Sequence, residues 1–433
     1  MMLAQDLMNP LILLGVILLL GALLGAVAER LSAPWIIGSM IAGVLLGPEA
    51  LGVLSRPALA KLGGFSQASL AVIAFCIGSR LTLERLRTMG ASIAGLAIAQ
   101  LLVPLLMVFG AEALIGLKWQ TALIVAAAAP ATAPTITYAV IRRRDASGPF
   151  VDRAFGILAI NDAATVLIFS VVSAATVAAL GAHGSGAEVR ASIEIAALNE
   201  ANSLLAGGVL GGVFLIARSA ISDQSPGCAD RLHALLYSLL LLAVGMAAVL
   251  GLSPLLVPLS MGVVIANGSS EPDRAAVQGG ISNIEEPLYI IFFVLAGAHL
   301  PIDEASKAFI LLAAAVYVLG RFAGKYAAIY LASLALRLDA ATRKYLGLCF
   351  PSQGGLAMGL MLAFAAAPTV RALEPDSLEM AETAISIVLM GVMLSQLFGP
   401  LVIDYAVRRA CSAKMPGRLP APSSLQGNGS NDA

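Results

Sequence analysis

Along most of this chain the apolar residues neither alternate, as in a half-buried strand, nor form the one-sided stripe of a soluble helix. They run on in long blocks cut by charge, proline or glycine. A helix needs roughly 20 apolar residues to cross a bilayer. Blocks of that order fall at roughly 10–29, 34–54, 64–83, 90–117, 119–141, 153–180, 202–221, 232–251, 253–270, 285–300, 308–336, 342–367 and 380–407. Hydrocarbon offers no partner to an exposed amide, so such blocks predict helices. The expected fold is an all-α polytopic membrane protein with about 13 transmembrane helices.

Composition agrees. Of 433 residues 59% are hydrophobic and 12% charged, where a soluble domain carries roughly 25% charged residues. The formal net charge is zero, which speaks against a nucleic-acid partner. Cys76, Cys228, Cys349 and Cys411 are scattered, with no metal spacing, and read as apolar fillers. No Lys or Arg precedes Arg30, so the first block reads as a retained helix and not a leader.

Charge also gives an orientation. With the N-terminus outside, only Arg56, Lys61, Lys118, Arg190, Lys307 and Arg371 fall in outer loops, and Arg321 and Lys325 lie inside segment eleven. The remaining Lys and Arg of the 26 fall on the inner side, as the positive-inside rule requires. The C-terminus is then cytoplasmic. Residues 183–200 read as an external loop or short surface helix. The tail 411–433, rich in Pro, Ser, Gly and Asn, reads as disordered and as too short for a regulatory nucleotide-binding domain.

The two halves echo each other. Ser39-Met40 with Gly47 matches Ser260-Met261 with Gly268, Gly78 matches Gly297, and Pro130 matches Pro351, at offsets of 219 to 221. The partners lie seven segments apart and so run in opposite directions, which predicts inverted repeats. Segment five contains AAAAPATAPTITYAV, where Pro130 and Pro134 remove helical bonds. Segment twelve contains CFPSQGGLAMG, where Pro351, Gly354 and Gly355 do the same. Prolines also merely kink membrane helices. Two breaks at matching places predict instead a pair of crossed broken helices around an ion site.

Segment six carries Asp162 about ten residues into an otherwise uncharged stretch. An aspartate there costs roughly 2.5–3.5 kcal/mol on an insertion scale and usually marks an ion or proton path. The competing reading is a structural bridge to Arg321 or Lys325, which share one face of segment eleven at i, i+4. Asn161, Arg321 and Lys325 are candidate catalytic residues beside Asp162, a structural clamp being the other reading of the two cations; Arg321 is expected to hold freed carbonyls or Asn161, and Lys325 to snorkel or pair elsewhere. Thr132 offers a hydroxyl to the same cavity, with backbone oxygens of Ala131 and Ala133 beside it. Glu112 and His299 read as interfacial residues. Glu285 and Glu286 are placed at an entrance funnel on the inner side.

PWIIGSMIAGVLLGP (34–48), LAVIAFCIGSRLTLERLR (70–87), the broken segment with AINDAA (159–164), LGLSPLLVPLSMGVVIAN (250–267) and EEPLYIIFFVLAGAHL (285–300) together resemble the monovalent cation:proton antiporter superfamily, the sodium/hydrogen exchanger fold. The resemblance covers roughly residues 10–410. It implies a homodimer in a bacterial inner membrane, active in pH homeostasis. Each protomer would have core helices (roughly 64–180 and 285–407) moving like an elevator against scaffold helices (roughly 10–54 and 202–270). It makes Asp162 the carrier of cation and proton in turn, with Thr132 the hydroxyl ligand. Asn161-Asp162, in place of two aspartates, implies electroneutral exchange of Na⁺, or of K⁺ or Li⁺. Where some Asn-Asp members place Glu and Ser one turn earlier, this chain has Ile157 and Leu158, so Asn161 needs another partner.

Two other classes stay open: a sodium-coupled organic-anion symporter on a similar scaffold, and a channel-like potassium efflux protein. No nucleophile–base pair, metal cluster or phosphate loop points to an enzyme, and no cofactor is expected beyond the transported ions.

Overall fold

The computed structural model describes residues 9–31, 34–84, 90–144, 146–181, 186–221, 227–298, 308–367, 370 and 373–411. His299 and the tail beyond Cys411 lie outside them. Helices are the regular elements among the described residues. In chain order they are α1 (Pro10–Arg30), α2 (Trp35–Leu46), α3 (Arg56–Ser79), α4 (Ala91–Leu114), α5 (Trp119–Ala128), α6 (Pro134–Arg143), α7 (Pro149–Gly181), α8 (Gly186–Ser219), α9 (Cys228–Leu250), α10 (Leu256–Gly268), α11 (Glu271–Ala298), α12 (Ala308–Ala335), α13 (Ala340–Tyr345), α14 (Gly355–Ala366) and α15 (Pro375–Cys411). A 3-10 turn, Leu346–Cys349, follows α13.

Among the described residues nine helices are long and apolar enough to cross a membrane, and α2, α5, α10 and α14 are shorter apolar helices. At 1.5 Å per residue, the 12 residues of α2 and 13 of α10 rise only about 20 Å. The stretch expected as a loop or short surface helix is helical from Gly186 and runs unbroken into the apolar segment that follows, giving a 34-residue α8.

The helices pack as two groups. One holds α1, α2, α3, α8, α9, α10 and α11; the other holds α4 to α7 and α12 to α15. They meet along α7 and α8, and where α14 rests on α3 and α11. The sequence-based division placed 64–83 and 285–300 with the broken helices, whereas α3 and α11 pack chiefly on α10 and α2. Glycine is the physical reason. A Cβ on Gly43 would strike the Val294 carbonyl and one on Gly297 the Met40 carbonyl, locking α2 to α11. One on Gly78 would strike the Leu259 carbonyl, and one on Gly262 the Phe75 carbonyl, locking α3 to α10.

These crossings are counterparts. Met40 and Leu259, Gly43 and Gly262, Phe75 and Val294, and Gly78 and Gly297 each stand 219 positions apart. The inverted repeat is therefore written into backbone contact. The Ser39 and Ser260 match, at 221, has a separate job. Ser39 Oγ donates to the Gly21 carbonyl of α1, and Ser260 Oγ to the Leu204 carbonyl of α8, each fastening a short helix to a long one.

A polar clasp ties α7 to α13. Asp339 caps α13, accepting from the Thr342 amide at 2.9 Å, and Arg153 of α7 donates to Asp339 and to Thr342 Oγ1 (2.7 Å). Partial burial would raise the Asp339 pKa, but the Thr342 amide and hydroxyl and the Arg153 guanidinium outweigh it and hold the carboxyl below its usual value.

Gly262→Val should lower the thermal unfolding midpoint in detergent, by the equivalent of about 1–3 kcal/mol of overpacking. Gly245→Ala, with no atom within 4 Å of the new methyl, should leave it unchanged. Because the folded Asp339 pKa is depressed, its contribution is present above the usual carboxylate pKa and fades as pH falls through the lowered value. The midpoint difference between wild type and Asp339→Asn should therefore be seen at neutral pH and vanish in strong acid.

Candidate functional site

Segment five stops being helical after Ala128 and resumes at Pro134; segment twelve stops after Cys349 and resumes at Gly355. Pro130 and Pro134 supply no amide, and Pro351 none in the second break. The two extended pieces touch where the Ala133 amide donates to the Ser352 carbonyl at 3.0 Å. Each break leaves carbonyls without their helical amides, and in the buried interior they must be met by other donors.

Arg321 of α12, 2% exposed, meets most of them. It donates to the carbonyls of Ala129 (2.9 Å) and Ala131 (2.6 Å) in the first break and Pro351 in the second. Longer contacts reach Ser352 (3.3 Å) and Phe350 (3.5 Å). A planar guanidinium presents five donors, which suits this task better than an ammonium. Lys325, one turn along and 1% exposed, donates to the Pro130 carbonyl at 2.7 Å and toward Gln100 Oε1 at 3.4 Å. Of the two outcomes expected for Lys325, it pairs elsewhere and does not snorkel. The Gln353 amide takes the Ala128 carbonyl at 2.8 Å and is held by Tyr317, and Thr137 takes the Cys349 carbonyl at 2.9 Å. Carbonyls at helix C-termini carry partial negative charge, so the two cations also neutralise those dipole ends.

Asp162 lies on α7 beside this crossing, 4% exposed. Its Oδ1 accepts from Thr132 Oγ1 at 2.7 Å and from the Thr132 amide at 3.4 Å, close to the positive N-terminal end of α6. Among the described residues no ion pair joins Asp162 to Arg321 or Lys325, so the structural-bridge reading finds no contact to rest on. A cavity of about 120 Å³ connects it outward; Asp162, Thr132, Ala133, Pro134, Gly354 and Gly355 line it together with Cys76, Arg80 and Tyr289. Arg80 is exposed, so the cavity leads from a surface to the buried carboxylate. Oxygen donors on a carboxylate and a hydroxyl suit a hard monovalent cation or a proton.

The other expected residues fall as follows. Asn161 donates to the Pro130 carbonyl at 2.6 Å, and Arg321 is not its partner. One turn earlier Ile157 and Leu158 are buried in an apolar cluster, which is why Asn161 turns to the break. The Ala131 carbonyl, expected to face an ion, is engaged by Arg321. Glu112, expected at an interface, is fully buried with neither oxygen partnered among the described residues. Glu285 accepts from the cavity-lining Tyr289 hydroxyl at 2.6 Å, while Glu286 is exposed.

Sequence reasoning passed over Gln100, Gln353 and Gln396, all fully buried around the crossing. Their signal was available: a glutamine in an apolar segment needs partners for four hydrogen-bonding positions, and the cost argument applied to Asp162 applies to them in weaker form.

The sodium/hydrogen exchanger transmembrane family model matches residues 15–408. Two solved structures of the sodium proton antiporter MjNhaP1 from Methanocaldococcus jannaschii match the fold. One, determined at pH 8, has a TM-score of 0.70 at 17% identity, over 92% of this chain and 98% of that one. The other, an electron-microscopy map, has a TM-score of 0.66 at 17% identity, over 93% and 98%. Similar curated proteins include the glutathione-regulated potassium-efflux system protein KefC of Salmonella arizonae, 25% identical over 90% of this chain and 61% of its own length. KefC of Escherichia coli K12 is 24% identical over 86% of this chain and 58% of its own. The chain thus spans about three-fifths of the length of these relatives.

Removing the guanidinium leaves several buried carbonyls unmet, at roughly 1–3 kcal/mol each. Arg321→Met should unfold well below wild type in a detergent melt. Arg321→Lys should recover little of the loss, since one ammonium cannot span both breaks. A Lys variant as stable as wild type would contradict this account of the crossing.

Proposed function

The chain belongs to the sodium/hydrogen exchanger transmembrane family, and from that premise we propose that it exchanges a monovalent cation for a proton through Asp162. The observation that carries the reading is a buried carboxylate free of any ion pair among the described residues, bonded to Thr132 at the floor of a cavity between two broken helices. Ionised, Asp162 holds a cation with the Thr132 hydroxyl; protonated, it releases it. A bare carboxylate crosses hydrocarbon poorly, so the carrier moves only when loaded with one or the other, and the two fluxes are coupled.

Arg321 and Lys325 act as positioning residues that hold the breaks open around the site. Asn161 is uncharged and Lys325 is turned to the Pro130 carbonyl and not to Asp162, so Asp162 alone carries either one cation or one proton. Exchange is then electroneutral. Na⁺ is the proposed substrate; K⁺ is the second reading, favoured by relatives named for potassium efflux. The chain crosses an inner membrane thirteen times, N-terminus outside, and the cavity beside Arg80 opens to the cytoplasm. The group formed by α4 to α7 and α12 to α15 moves as an elevator against the other, which pairs with a second copy as a homodimer.

Everted vesicles should release protons from their lumen on addition of Na⁺, K⁺ or Li⁺ with the wild type, and Asp162→Asn should abolish the response. Full activity in that variant would overturn the assignment. In proteoliposomes under an imposed potential the rate should not follow voltage; a rate that does would contradict one-for-one exchange.

A further inference from the structure

The cavity beside Asp162 lies between the two helix groups. Trp35 of α2, Cys76 of α3, and Tyr289 and Phe293 of α11 line it from one group; Asp162 and Thr132 line it from the other. Among its described lining residues only Asp162 and Arg80 carry charge. An arginine at the inner end of a membrane helix is ordinarily explained by the positive-inside bias and by the negative end of the helix dipole. Two observations set Arg80 apart. It lines the carboxylate's own cavity, and its backbone is fastened on both sides. Two residues before it, Gly78 meets the Leu259 carbonyl of α10 with no room for a Cβ. Just after it, Asn267 of α10 donates to the Leu81 carbonyl at 2.8 Å and accepts from the Leu83 amide at 2.6 Å. The end of α3 is thus gripped by α10 and presents Arg80 from a fixed position, whereas Asp162 stands on α7, in the group that holds the broken helices.

Arg80 is exposed, and among the described residues no carboxylate lies within salt-bridge distance of it. Glu285 is bonded instead to the Tyr289 hydroxyl at 2.6 Å. The charge of Arg80 is therefore free to be felt at Asp162 across the cavity. Its attraction depends on what the carboxylate holds. With a cation or a proton bound, the site is near neutral and the attraction lapses; with Asp162 bare, it acts in full. Resting on the reading of Asp162 as the carrier and of the two groups as the moving parts, we infer that Arg80 is a positioning residue that holds the empty, ionised Asp162 at this face of the membrane. Hydrocarbon already opposes the crossing of a bare carboxylate. Arg80 deepens the well from which that crossing would start. An empty carrier that did cross could return with a proton, so each slip would move one proton and one charge with no cation in exchange.

The test follows proton uptake by proteoliposomes holding the whole protein in choline buffer free of Na⁺, K⁺ and Li⁺. An inward thiocyanate gradient imposes an inside-negative potential. The wild type should take up few protons. Arg80→Gln should raise this leak roughly tenfold, the scale of one charge interaction across a partly hydrated cavity. Arg80→Lys should stay near wild type, and Arg80→Glu should leak more than Arg80→Gln. In exchange assays, half-saturating Na⁺ should fall for Arg80→Gln, because a fixed positive charge beside the site is gone. A residue that only shaped the helix end would not rank its variants by charge. A leak equal in wild type and Arg80→Gln, or a Lys variant as leaky as the Gln variant, would overturn the inference. Should Arg80→Gln fail to accumulate in the membrane, Arg80→Met carries the same expectation and the same refutation. Adding Asp162→Asn to Arg80→Gln should abolish the leak; a leak that survives runs by another route and also overturns it. Asp162→Asn alone separates the two claims. If it retains exchange, the carrier assignment falls; if it is inactive while Arg80→Gln is as tight as wild type, only the role of Arg80 falls.

Discussion

Two breaks in helical backbone, placed among buried residues at the heart of the fold, leave carbonyl groups that must be met by something. Most of this structure is arranged around how they are met. Arg321 spans both breaks with one planar group, Lys325 and Asn161 converge on the Pro130 carbonyl, and Gln353 and Thr137 take one carbonyl each. The helix that carries both cations, α12, is consequently the pin of the crossing. It lies against α4 closely enough that a Cβ on Gly324 would fall 2.7 Å from the Pro104 Cα. Gln100, one turn before Pro104, holds the Lys325 backbone carbonyl at 2.8 Å.

That commitment decides the state of Asp162. A buried aspartate beside a crossing held by two buried cations would ordinarily be expected to pair with them, and a dry ion pair is hard to open. Here the cations face carbonyls, and the aspartate is left with a neutral hydroxyl and an amide from Thr132. Its bonding can therefore be exchanged without dismantling the crossing, which is what the proposed transport cycle asks of it. The surrounding scaffold achieves its rigidity differently. α2 on α11, and α3 on α10, are held by glycine contacts of backbone on backbone, repeated in both halves at one register.

Hydrocarbon makes polar groups and helix breakers conspicuous, and for that reason the components of the site could be read along the chain. Asp162, Asn161, Thr132, Arg321, Lys325 and the prolines each stand out from an apolar background, and the structure gathers all of them at one place. Their pairing can be read only in part. Arg321 holds freed carbonyls, one of the two partners expected for it. That Asn161 and Lys325 both reach the Pro130 carbonyl is not legible, because the prolines mark where acceptors are freed but not which donor meets each. Glu112 illustrates the same blindness, as do the partners of the three glutamines, though not their presence. Burial by neighbouring helices, and not by the segment itself, fixes their surroundings.

What the chain determined by itself is the inventory: apolar segments, two interruptions and one isolated acid, since each follows from the cost of placing a given residue in hydrocarbon. The tertiary structure alone decided which donor meets which carbonyl and which helices share a group. It assigned α3 and α11 to the company of α2 and α10, and it kept Asp162 apart from both cations. Those outcomes depend on distances between different segments, from about 30 to more than 200 residues apart along the chain, set by how closely glycine and proline let the backbones approach, and no local pattern encodes such a distance.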